Sequence, residues 1–265
     1  MLSLETLEQL RRLAPSRQAA IDACEKLASF GKCVRPILFK ATDPEHPFFC
    51  GGTCFVAKYE SNIIAFTAQH CLLNENRIDE PVIISVRPDL NLPIRQEVHL
   101  ERHQGSNLDD TTWSDVSCLP TFDSARLHEL NGDEFLDLTR LPNRSLEINS
   151  GRLLCVVGWP HQTTVYDSHA ISRSEAVLFG SYDGPSESKH CHLLTRLVSS
   201  CDDPNGLSGS PVVALSFSDG ELAECELAGM VLQAGGNPLT MRFVEIGVIL
   251  RMAAEVARVL TKRVC

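Results

Sequence analysis

The chain has 265 residues, 43% hydrophobic and 22% charged, with a formal net charge of −10 at pH 7. That length and apolar share suffice for a buried core, in one large domain or two small packed barrels. The acidic balance argues against a nucleic-acid binder, which would present a basic face, and no apolar run approaches the roughly 18 residues of a membrane span.

In chain order, Met1 to Glu8 has neither a basic stretch nor a continuous apolar one and does not read as a secretory signal. Leu4, Leu7, Leu10 and Leu13 recur at helical spacing, with Ser3 as N-cap. Ala14-Pro15 breaks that run, and Ser16 can cap a second helix with Ala20, Cys24 and Leu27 on one face, ending near Gly31. This helical lead reads either as a strap packed on the body or as a docking element for a partner protein. Val34 to Ala41 is the first strand, and Thr42 to Pro47 is a turn-rich loop. Phe48 to Tyr59 and Asn62 to Thr67 form a hairpin, then a helical turn from His70 to Leu73. Strands follow at Pro81 to Val86 and Ile94 to Leu100, and a short helix is placed within Ala125 to Leu138. Arg152 to Pro160 reads as a buried strand. Ala170 to Ser181, Cys191 to Val198, Leu227 to Gln233 and Met241 to Val244 are further strands, and Ile249 to Lys262 is an amphipathic helix. No internal repeat or low-complexity segment stands out.

Three stretches carry chemistry. Asn205-Gly206-Leu207-Ser208-Gly209-Ser210-Pro211 holds a hydroxyl between two glycines and then enters the apolar run Val212 to Leu215. Glycines allow a backbone that aims N–H groups at one point, as an oxyanion site requires. Alone, this is equally an ordinary glycine turn before a strand. Upstream, Thr67-Ala68-Gln69-His70-Cys71 follows the apolar strand Asn62 to Phe66, and between the two lies Asp115-Val116-Ser117-Cys118-Leu119. Asp109 and Asp110 are rival carboxylates, but they lack an apolar strand behind them.

Together these stretches resemble the signatures of the trypsin-like (chymotrypsin-fold) serine proteases, in particular bacterial intracellular-type members. Thr-Ala-Gln-His-Cys is similar to the segment around that family's general base, and Gly206 to Pro211 to its nucleophile loop. The order His70, Asp115, Ser208 is the family's order, at intervals of 45 and 93 residues. The resemblance runs from about Pro36 to Leu260. It implies an all-β fold of two six-stranded antiparallel β-barrels, with an N-terminal helical segment and a C-terminal helix added. The implied division is 1–32 for the helical segment and 33–265 for the protease domain, with 33–123 the first barrel, 124–150 a connection and 151–265 the second barrel and helix.

The resemblance further implies Ser208 as nucleophile, His70 as general base, Asp115 as its orienting acid, and the N–H groups of Gly206 and Ser208 as the oxyanion hole. The activity expected is cleavage of a peptide bond in a specific intracellular protein, in the cytoplasm, through an acyl-enzyme and without metal or cofactor. The alternative is a trypsin-fold binding or regulatory subunit whose proteolysis is switched off or depends on a partner met through the helical lead. Leu207 stands where many secreted members carry an Asp that binds a new N-terminus, so activation by N-terminal cleavage is not expected. Asp202, Asp203 and Gln233 are candidate substrate-binding residues. Asp202 sits where trypsins select Lys or Arg, although both acids also read as solvated loop residues. Ser210 instead hints at an acidic P1 side chain, with His190 or His192 as its contact.

Lys189-His190-Cys191-His192 puts two histidines on one strand face, yet no further ligand stands at zinc-finger spacing. Without a secretory signal, the eleven cysteines read as mainly reduced thiols. Cys50-Gly51-Gly52-Thr53 resembles the family segment whose cysteine bridges to the one after the catalytic His. A Cys50–Cys71 bridge is therefore open, with Cys54 as a competing partner.

Overall fold

The computed structural model describes residues 4–40, 48–72, 82–87, 90–94, 115–120, 131–132, 134–141, 152–167, 170–199, 202–235 and 240–264. The helical lead is α1 (Leu4–Leu13) and α2 (Arg17–Gly31). Ser16 is extended, and its Oγ accepts from the Ala19 N–H at 3.0 Å, as a cap must if the first turn is to keep a partner. The same hydroxyl donates to the Gly220 carbonyl at 2.6 Å, which pins the helix start to the second β-unit. Ala19, Ala20, Ala23 and Leu27 form its buried face.

The first β-unit contains β1 (Val34–Lys40), β2 (Phe48–Tyr59), β3 (Asn62–Ala68), β4 (Val82–Arg87), β5 (Leu90–Ile94), β6 (Val116–Pro120) and the short β7 (Leu136–Asp137). Its strand order is β5-β4-β1-β2-β3-β6, all antiparallel, with β7 added in parallel to β2. β2 and β3 are buried on both faces over their central residues, and their register sets Phe55 opposite Phe66 in the core, with ring centroids 5.3 Å apart.

The second unit is built from β8 (Leu153–Gly158), β11 (Ala176–Pro185), β12 (Cys191–Ser199), β13 (Pro211–Ser218), β14 (Glu221–Gly235) and β15 (Thr240–Glu245). These close into a barrel in the order β11-β12-β15-β14-β13-β8. Between β8 and β11 a separate hairpin forms from β9 (Thr164–Asp167) and β10 (Ala170–Arg173). Every second residue of the barrel strands points inward, so Leu154, Val156, Leu178, Val212, Met241 and Phe243 fill its interior. The other face joins the larger core shared with the first unit, α2 and the C-terminal helix α3 (Ile246–Val264).

Several expectations change. The strand expected over Ala170 to Ser181 is two strands, because Ser174 and Glu175 interrupt the pairing. β5 was not expected, while most of Ile94 to Leu100 lies outside the described residues. Within the stretch expected to hold a helix, Leu136 and Asp137 form a strand on Ala57 and Lys58 and Leu138–Arg140 a single 3-10 turn; 121–130 lie outside the described residues. Cys24, Cys33, Cys50, Cys54, Cys71, Cys118, Cys155, Cys191 and Cys225 are free thiols, so Cys50 and Cys71 are not bridged. Among the described residues no helix is long and apolar enough to cross a membrane.

Candidate active site

β3 ends in a 3-10 turn, Gln69–Cys71, that carries His70 outward. The antiparallel register pairs Ala68 with Val116, so the residue before β6, Asp115, arrives beside His70. Asp115 Oδ1 lies 2.9 Å from His70 Nδ1 and accepts the His70 N–H at 3.2 Å. One carboxylate oxygen thus holds both the backbone and the ring, leaving Nε2 as the outward nitrogen. The hydrogen bond that His70 donates to Asp115, then the Cys71 side chain, push the His70 pKa up to about 10 against the opposing effect of burial. Asp109 and Asp110 lie outside the described residues.

Ser208 approaches from the second unit on the turn before β13. Its carbonyl accepts the Thr53 N–H at 3.1 Å and the Cys71 thiol at 3.5 Å. The nucleophile candidate is therefore fastened to the residue next to His70. Its Oγ donates to the Leu232 carbonyl at 3.3 Å; among the described residues it makes no hydrogen bond to His70.

The peptide groups of this turn alternate. The Asn205 carbonyl accepts from His161 N at 2.7 Å, the Gly206 carbonyl from Thr53 Oγ1 at 2.7 Å, and the Leu207 carbonyl from Ser210 N at 2.9 Å. With the Ser208 carbonyl, four consecutive acceptors are held. A trans peptide points its N–H opposite its C=O. The N–H groups of Leu207 and Gly209 are used, by Pro204 and Val231, at 3.0 and 2.8 Å. Those of Gly206 and Ser208 have no partner among the described residues. These are the two expected oxyanion donors.

Glycine is required at both bends. Gly206 has φ +93° and Gly209 φ +87°. A Cβ at Gly206 would stand 2.6 Å from His161 Cδ2, and one at Gly209 would run into the Thr53 carbonyl. Leu207 turns into the barrel interior with Leu154, Val212 and Met241, so apolar side chains occupy the place a carboxylate would need.

The specificity candidates are less gathered. Asp202 is exposed, and its N–H and that of Asp203 both donate to Gln162 Oε1, at 3.0 and 2.9 Å. Asp203 Oδ1 accepts from Asn205 N. Gln233 is exposed on β14, next to Leu232. Ser210 is fully buried, its side chain against Gly158. The two candidate histidines share one carboxylate: His190 Nδ1 lies 2.5 Å from Glu245 Oε1, His192 Nε2 lies 3.6 Å from Oε2, and Tyr182 OH caps His192 Nδ1 at 2.9 Å. The sequence reading missed Thr53, His161 and Gln162, which hold the turn. The available signal was Thr53 itself, a hydroxyl inside the buried run of β2 that must find partners.

No family model matches the chain, and no curated protein matches it. Among solved structures it is similar to neuropsin, a serine protease expressed in the limbic system of mouse brain. The two are 14% identical over 88% of this chain and 96% of the neuropsin chain, with a TM-score of 0.52. At that identity the likeness is one of fold. With two largely antiparallel β-units and three helices among the described residues, the chain has the chymotrypsin-like two-barrel fold.

Proposed function

We propose that this protein is a trypsin-like serine endopeptidase acting on a protein or peptide substrate. Ser208 Oγ attacks the scissile carbonyl carbon and passes its proton to His70 Nε2. The carbonyl oxygen becomes an oxyanion facing the N–H groups of Gly206 and Ser208. Asp115 keeps the imidazole oriented and stabilises its charged form. The C–N bond then breaks, the leaving amine takes the proton from Nε2, and water hydrolyses the acyl-enzyme by the reverse exchange. No step calls for a metal or cofactor.

The observation that carries this reading is the pair of N–H groups, those of Gly206 and Ser208, that have no partner among the described residues, on a turn fastened beside the His70–Asp115 pair. The test is labelling of the purified protein with an alkyl fluorophosphonate, beside Ser208→Ala and His70→Ala. Labelling of the wild type that both changes abolish is expected. A folded wild type that takes no label rules the reading out for the isolated chain.

One observation favours a partner-dependent variant of the same reading. The Ser208 hydroxyl donates to the Leu232 carbonyl, so it must rotate before it can meet His70. α2 packs on β14, the strand that carries Leu232, and Leu4 of α1 is exposed. A partner bound to the helical lead then acts on the strand that holds the hydroxyl. The nine free thiols among the described residues support a reducing, cytoplasmic setting. Asp202 is the proposed anchor for a basic substrate side chain, and Asp202→Ala is expected to flatten a preference for Lys or Arg in a peptide library.

A further inference from the structure

We propose that Thr53 is a positioning residue that holds the oxyanion turn in its working form, an inference that rests on the serine-hydrolase reading above. Thr53 belongs to the first β-unit and is fully buried. Its hydroxyl accepts the Trp159 N–H at 3.0 Å. A backbone N–H can only donate, so the single hydroxyl proton of Thr53 is committed to the Gly206 carbonyl, 2.7 Å away. Its own N–H takes the Ser208 carbonyl, and its own carbonyl accepts from the Thr67 hydroxyl at 2.7 Å.

One residue therefore grips two of the four peptide groups of the turn, one with its side chain and one with its backbone. They are the peptides that lie between and beyond the two free N–H groups. The Gly206–Leu207 peptide otherwise keeps only the Leu207 N–H bond to Pro204. Gly206 supplies little resistance of its own, since glycine crosses between backbone regions freely. Without the hydroxyl the Gly206 carbonyl and the Trp159 N–H both lose their partners. The turn can then recover one of them by rotating the Gly206–Leu207 peptide, and that rotation tilts the two adjoining peptides, whose N–H groups on Gly206 and Ser208 face the oxyanion position.

The chemistry predicts which constant moves. Donors aimed at an oxyanion act on the transition state more than on the ground state. In labelling by an alkyl fluorophosphonate, the Ser208 Oγ–P bond forms, the P–F bond breaks, fluoride leaves and the hydroxyl proton passes to His70 Nε2. The phosphoryl oxygen takes the oxyanion position. Thr53→Val keeps the shape and removes the hydroxyl. It is expected to lower the limiting labelling rate about 10- to 100-fold with the reagent's half-saturating concentration unchanged. Thr53→Ser keeps the hydroxyl and is expected to stay within about threefold of wild type. Dichroism confirms that each variant is folded.

Equal labelling by Thr53→Val and wild type overturns the proposal and leaves the serine-hydrolase reading standing. So does a Thr53→Ser variant as slow as Thr53→Val, because the methyl group rather than the hydroxyl would then be responsible. A wild type that takes no label is the failure of the functional reading, and the positioning of an oxyanion site falls with it. Should Thr53→Val not fold, the wild type decides. The committed hydroxyl proton is expected as a slowly exchanging magnetic resonance signal close to Gly206, and a hydroxyl exchanging at solvent rate overturns the assignment.

Discussion

At the scale of single residues, the proposed mechanism makes the His70–Asp115 pair the group whose titration governs the rate. The carboxylate raises the His70 pKa to about 10, against an ordinary value of about 6.5. The sign for folding follows directly. The folded value lies above the unfolded one, so the stabilisation is complete below the unfolded pKa and is lost as pH rises through the folded one. For chemistry the order reverses, because only the neutral ring accepts a proton from Ser208. Fluorophosphonate labelling is therefore expected to keep rising with pH well beyond the range where an ordinary histidine levels off. A labelling series from roughly pH 6 to pH 10.5 reads this directly. Asp115→Asn removes the first cause of the raised pKa and the acceptor that orients the ring. It is expected to slow labelling by about 10³- to 10⁴-fold and to move what rate remains toward lower pH. A slowed variant with an unmoved pH profile would mean that Asp115 orients the ring without tuning it.

At the scale of elements, the nucleophile turn depends on its backbone and the helical lead on its buried face. Gly209→Ala would force a left-handed φ on a side chain whose Cβ meets the Thr53 carbonyl. It is expected to cost about 1–3 kcal/mol in urea unfolding and to suppress labelling. Leu27 is fully buried on α2, so Leu27→Ala is expected to cost about 2–5 kcal/mol while leaving the labelling rate of the folded fraction unchanged. What the sequence revealed follows the same division. The Ser208 turn, the strand leading to His70 and the Ser16 cap were legible because their signals are local: glycines beside a hydroxyl, an unbroken apolar run, a serine after proline. β7 was not, since Leu136 becomes a strand only by pairing with Ala57, far away in the chain. Thr53 looked like one more strand residue, because the bond that gives it a role spans 153 residues. The partner of His190 and His192 is not legible in sequence, because Glu245, which engages both rings, lies 55 residues from His190.

At the scale of the whole molecule, the proposed reacting groups are divided. His70 and Asp115 belong to the first β-unit, while Ser208, its oxyanion donors and Leu232 belong to the second. The Thr53 bonds to Gly206, Ser208 and Trp159, with the Trp159 Nε1 bond to the Val34 carbonyl at 3.3 Å, tie the units together there. A core shared by both units and by α2 and α3 backs this joint. The two units are therefore expected to unfold as one. In a urea titration, loss of labelling competence and loss of far-ultraviolet dichroism should fall on a single curve; separate midpoints would show units that fold independently. The joint is also where the molecule is most easily silenced. A displacement of about 1 Å between partners can cost a hundredfold in rate, and a small shift at Thr53 would leave both β-units folded. A compound wedged between β2 and the Gly206 turn would thus act as a non-competitive inhibitor, blind to whatever substrate the pocket prefers and undiminished by a high concentration of it.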